Sequence, residues 1–97
     1  MNYETTSEAR KAIIAAIGED LKPNMKVGIS GKHIMGDFRY FAKLTITDPE
    51  LYSKPMDACT SDFYGDAEWA KYGEAIRKVK AWVKTSPRNT INGTAIL

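Results

Sequence analysis

The sequence predicts an α+β fold: two amphipathic helices packed on one face of a small antiparallel sheet, in the order helix, strand, strand, loop, helix, with a possible C-terminal strand. Three observations predict it. Apolar residues recur at helical spacing in two separated segments, they alternate at a two-residue period between those segments, and proline or glycine stands where one period gives way to the next. Ninety-seven residues hold one core, so the chain is read as a single domain over 1–97.

The first helix opens at Thr5, which has the capping-box spacing to Glu8. Ala9, Ala12, Ile13, Ala16 and Ile17 follow at helical intervals and leave Arg10, Lys11 and Glu19 on the wet side. Pro23 ends the helix by Lys22 at the latest, because proline has no amide to donate and clashes with the preceding turn. Met25, Val27 and Ile29 then alternate with Lys26, Gly28 and Ser30, the period of a strand with one buried face. Met35-Gly36-Asp37 is a turn candidate, and beyond it Phe38, Tyr40, Ala42, Leu44 and Ile46 face one way while Arg39, Phe41, Lys43, Thr45 and Thr47 face the other. The two runs make a hairpin, stopped by Asp48-Pro49.

Residues 48–65 have no sustained period, apart from one helical turn's worth at Glu50 to Lys54. Asp66 to Lys84 reads as the second helix: Trp69, Tyr72, Ile76, Val79 and Val83 share a stripe, and Glu74 and Lys78 have the spacing of an i,i+4 ion pair. Ser86-Pro87 closes it. Asn92-Gly93 is a good turn dipeptide, but its flanks are too short to stand as a hairpin alone. The candidate core is Ile13, Ile17, Val27, Ile29, Tyr40, Leu44, Ile46, Trp69, Ile76 and Val79.

Composition narrows the class. A hydrophobic fraction of 43% and a charged fraction of 27% are those of a soluble globular protein. No apolar run reaches the roughly 18 residues a membrane helix needs, and the N-terminal residues lack the basic and apolar regions of a signal peptide. The single cysteine, Cys59, forms no intrachain disulfide, so a reducing cytoplasm is the expected location.

Catalytic chemistry finds little support. His33 and Cys59 could form a base and a nucleophile, but no local motif joins them, and they are read as a hairpin-tip histidine and an unrelated loop or core cysteine. Asp57, Asp62, Asp66 and Glu68 are acidic but lack the spacing and glycine of a calcium loop. No enzyme activity, metal or cofactor is expected. The stretch VGISGKHI, residues 27–34, has the letters of the RNA-clamping G-x-x-G loop of KH domains. That loop works because a following helix points free amides at a phosphate. Here Pro23 lies just before and a strand begins at Phe38, so no pair of helices flanks the glycines. Gly28 and Gly31 are read instead as marking a bulge or a close backbone contact in a strand.

Two surfaces are candidates for binding. The connection after the hairpin is acidic and carries aromatics, with Tyr52, Asp57, Asp62, Phe63, Tyr64 and Asp66 as predicted partner contacts; aromatics supply interface hot spots and carboxylates steer them toward a basic partner. The hairpin carries Lys32, Arg39 and Lys43 with Phe41 on the same face, a pattern that holds phosphates and stacks a base. Arg77, Lys78, Lys80 and Lys84 offer a second basic stripe.

Residues 9–47 place a helix rich in Ala, Ile, Arg and Lys before MKVGIS, a glycine-containing turn and a long alternating strand ending TDP. This pattern resembles the opening of some large polyvalent protein-associated domains of phage and conjugative elements. The resemblance implies a mobile-element origin and carries no site residue with it. By analogy of size and origin, it suggests a non-enzymatic protein that docks on a host protein or ribonucleoprotein complex, inhibition of a defence system such as CRISPR being the sharpest version. The alternative is a small nucleic-acid-binding protein using Lys32, Arg39, Phe41 and Lys43. No membrane partner is expected.

Overall fold

The computed structural model describes residues 1–58 and 66–97. Its elements run β1 (Asn2–Tyr3), α1 (Thr6–Ile17), a 3₁₀ turn (Gly18–Asp20), β2 (Met25–Ile34), β3 (Asp37–Ile46), β4 (Met56–Ala58), α2 (Asp66–Lys84), β5 (Thr90–Ile91) and β6 (Thr94–Ala95). The fold is α+β, and the strands form two three-stranded sheets, β1-β5-β6 and β2-β3-β4, where the sequence suggested one.

The second sheet exists because the Asn92-Gly93 hairpin, too short alone, gains a third strand. Residues Asn2 and Tyr3 pair in parallel with Thr90 and Ile91, and the Thr90 and Asn92 amides donate to the Met1 and Tyr3 carbonyls at 2.9 Å each. The last residues then reach the other sheet. The Leu97 amide donates to the Tyr40 carbonyl at 2.8 Å, and the Leu97 carbonyl accepts from the Ala42 amide at 2.9 Å. The rim of β3 is thus shared: the C-terminal residues take it at 40–42, and β4 takes it at 44–46.

Helix α1 starts as its cap predicts, with the Glu8 amide donating to Thr5 Oγ1 at 3.1 Å. The reciprocal bond falls one residue early, from the Glu4 amide to the Glu8 carboxylate at 3.0 Å. Helix α2 covers the predicted span. Its Glu74 pairs with Arg77 at 2.8 Å rather than with Lys78. Lys78 is committed elsewhere: it reaches Asp20 at 2.5 Å and donates to the Ile17 carbonyl at 3.3 Å, tying α2 to the end of α1. Two of the four residues of the basic stripe expected on α2, Arg77 and Lys78, are therefore committed to ion pairs.

The core gathers Ile13 and Ile17 of α1, Val27 of β2, Leu44 and Ile46 of β3, and Ile76 and Val79 of α2, all expected, together with Val83, Ile91 and Ile96. Ile29 and Tyr40, also expected inside, are only partly buried. They stand where the long hairpin leaves the body. No helix among the described residues is long and apolar enough to cross a membrane.

Candidate functional site

Strands β2 and β3 pair without interruption over ten residues, from Met25 opposite Ile46 to Ile34 opposite Asp37. There is no bulge, and of the two glycines only Gly31 marks a close contact; a Cβ at Gly28 would meet the Lys43 side chain at an ordinary 3.5 Å. At Gly31 the reason is visible: the Phe38 ring lies over it, and a Cβ there would collide with the ring. The ring is shared along one face of the hairpin, 5.2 Å from His33 and 4.9 Å from Tyr40 between centroids, both edge-on.

The body covers only the near half of this hairpin. Every residue from Gly31 to Arg39 is exposed, so the strands project as an arm. Its tip is apolar: Met35 is 99% exposed, Ile34 44% and Phe38 40%. The turn itself places both Met35 (φ 52°) and Gly36 (φ 85°) in the left-handed region. Glycine occupies that region freely, whereas a methionine there is strained and gains no burial to offset it.

The pairing also fixes what shares a face. Lys26 lies opposite Thr45, Gly28 opposite Lys43, Ser30 opposite Phe41 and Lys32 opposite Arg39. These residues alternate with the buried ones, so they form the outer face of the sheet. The four residues expected from sequence, Lys32, Arg39, Phe41 and Lys43, are brought together, and Lys26 joins them. Lys26 was legible from the same two-residue period. Lys32 Nζ stands 5.9 Å from the Phe41 ring centroid. Arg39 reaches Asp37 at 3.5 Å and Lys43 reaches Asp57 at 3.6 Å, both pairs well exposed.

Of the acidic surface expected from sequence, the side chains of Tyr52 and Asp57 and the backbone of Asp66 are described. Asp57 sits on β4 opposite Thr45, accepts the Thr45 hydroxyl hydrogen bond at 2.6 Å and faces Lys43, so it borders the basic face of the hairpin. Tyr52 is half-buried against the core. Asp66 opens α2. Asp62, Phe63 and Tyr64 lie outside the described residues, as does Cys59, which the sequence reading left unrelated to His33. His33 itself is exposed on the arm. Among the described residues, no group of three or more His, Cys, Asp or Glu side chains is placed to hold a metal ion.

One further polar cluster was not read from sequence. An open cavity of about 660 Å³ lies between the hairpin root and α2, lined by residues including Lys22, Asn24, Asp48 and Lys71. Asp48, only 6% exposed, accepts from Lys71 Nζ at 2.7 Å, from the Tyr72 hydroxyl at 2.5 Å and from the Glu50 amide at 3.1 Å. Asn24 donates to the same hydroxyl and to the Thr47 carbonyl, each at 3.0 Å. The Lys71 ammonium, the Tyr72 hydroxyl and the Glu50 amide hold the Asp48 carboxyl down at about 2, against an ordinary 3.8. These groups satisfy one another, so the cluster is an anchor for the turn after β3 rather than a poised acid or base. Asp48-Pro49 gave a stop signal, but nothing in the sequence showed that Tyr72, at a helix position suited to the core, would turn its hydroxyl to it.

Comparison of the chain with protein-family models, with curated proteins and with solved structures returns no match.

Proposed function

We propose that the protein acts without catalysis, by docking on a larger macromolecular complex, and that the β2–β3 arm is the docking element. The observation that carries this reading is Met35. A methionine in the left-handed region, at full exposure on the tip of a projecting hairpin, serves neither the turn nor the core. Backbone strain without a local return is a pointer to function. Ile34 and Phe38 beside it extend an apolar tip that a partner's groove would cover, and Lys32 and Arg39 flank that tip. This moves the expected contact surface from the acidic connection to the arm. A host ribonucleoprotein, including a defence complex, has the mixed protein and nucleic-acid surface that an apolar tip beside a basic face suits.

Site-specific photocrosslinking tests the reading. A benzophenone side chain introduced at Met35 should give high-mass adducts in the native host, while the same group at Lys11, exposed on α1, should give none. Equal adducts from both positions, or none from position 35, would overturn it.

A further inference from the structure

Resting on the docking reading, we infer that the outer face of the arm binds single-stranded nucleic acid, with Phe41 stacking a base and Lys26, Lys32, Arg39 and Lys43 holding the phosphates. The face is built for a flat ligand. Phe41 has Ser30 directly opposite and Gly28 diagonal to it, so no large β2 side chain rises beside the ring except Lys32, whose ammonium lies over it. No described helix covers this side, because α1 and α2 pack with the opposite, buried face.

The charges fit a polyanion. Along β3, Arg39, Phe41 and Lys43 stand about 6.8 Å apart, cation, ring, cation, at the two-residue strand repeat. Across the pair, Lys26 and Lys32 add two more cations on the same face. Two carboxylates bound the stripe: Asp37 beyond Arg39 toward the tip, and Asp57 beside Lys43 toward the root. Both form long, exposed ion pairs, which are worth only about 0–1 kcal/mol and yield readily to phosphate. A duplex hides its base faces, and an aromatic on an open sheet reads bases only when they are unpaired. The geometry therefore selects a single strand.

The test is fluorescence anisotropy with a labelled single-stranded oligonucleotide of about 20 nucleotides, and the matching duplex, at about 50 and 200 mM salt. Three to four neutralised phosphates predict binding to the single strand that weakens about 20- to 50-fold over that range. Phe41→Leu, which keeps apolar volume without a π-face, should raise Kd about 5- to 150-fold with an unchanged circular dichroism spectrum. Asp57→Asn, which frees Lys43, should tighten binding. Salt-insensitive binding, unchanged affinity in Phe41→Leu, or tighter binding to the duplex would overturn the inference. If no oligonucleotide binds while adducts from Met35 persist, the nucleic-acid assignment fails and the docking reading stands; if the adducts are also absent, both fail.

Discussion

The hairpins β2–β3 and β5–β6 both close through two residues of positive φ, Met35–Gly36 (φ 52° and 85°) and Asn92–Gly93 (φ 49° and 83°). Asn-Gly is the pair that such a turn favours, because asparagine tolerates the left-handed region better than other side chains. It is also tied down. The Asn92 side chain donates to the Glu4 carbonyl at 3.1 Å, and the Gly93 amide donates to Asn2 Oδ1 at 2.8 Å. Met35 has the same backbone and is almost wholly exposed. One turn serves the fold, and the other carries a residue the fold has no use for. The long hairpin thus divides into a root that obeys packing and a tip whose composition packing does not explain.

The root is where that division is broken most severely. Leu44 is fully buried at the root of β3, and Leu44→Ala should cost about 2–5 kcal/mol through lost apolar burial and the cavity left behind. Ala at Met35, by contrast, should change stability by no more than about 0.5 kcal/mol. Urea titrations of the two variants measure both. Comparable losses would mean that the tip is structurally engaged after all.

The Asp48 anchor sharpens the comparison from the other side, since it fixes the turn that follows β3 to α2 through Lys71 and Tyr72. Its carboxyl is depressed from 3.8 to about 2, so the folded state binds its proton less readily than the unfolded chain. The resulting stabilisation is present above the ordinary value and is lost as pH falls through the depressed one. Asp48→Asn should melt below the parent at neutral pH, and the gap between them should narrow from pH 3.8 toward about 2. Asp20 and Glu74 are also held down, by Lys78 and Arg77 respectively, so both proteins weaken in acid. The shrinking difference between them, read from thermal melts, isolates Asp48. A constant gap would show that the carboxylate's charge is not what anchors the turn.

Much of this was legible in the sequence for physical reasons. The period of Ala9, Ile13 and Ile17, and that of Tyr72, Ile76, Val79 and Val83, located both helices, because one face of each must be buried. The alternation through Val27 and Leu44 gave the two strands of a hairpin and placed Lys32, Arg39, Phe41 and Lys43 on it, and the register then brings them to one face. Periodicity says which face a residue is on but not how far the body extends along that face. That is why Ile29 and Tyr40 were expected deep in the core, and why Phe38 was not seen as a tip residue. The second sheet was missed because β1 and β5 are two residues each, too short for any period, and their pairing joins opposite ends of the chain. The pairing of Asp57 with Lys43 was not legible because it depends on β4 pairing with β3, and Lys43 lies fourteen residues earlier in the chain.

The finest comparison exchanges the two turn residues. Met35→Asn puts the residue suited to positive φ into the exposed turn, where it displaces no packed neighbour, and should raise stability by about 0.5–1 kcal/mol. Asn92→Met makes the reverse change and also loses the hydrogen bond to the Glu4 carbonyl, so it should lower stability by about 1–2 kcal/mol. The opposite signs are the point. A position where the native residue is worse than a plain alternative is held for a reason other than folding, and on the docking proposal that reason at Met35 is contact with a partner. If Met35→Asn is instead destabilising in chemical denaturation, the methionine is contributing to the fold. The contrast between the two hairpins then disappears, and with it the argument that the arm's tip is shaped for docking.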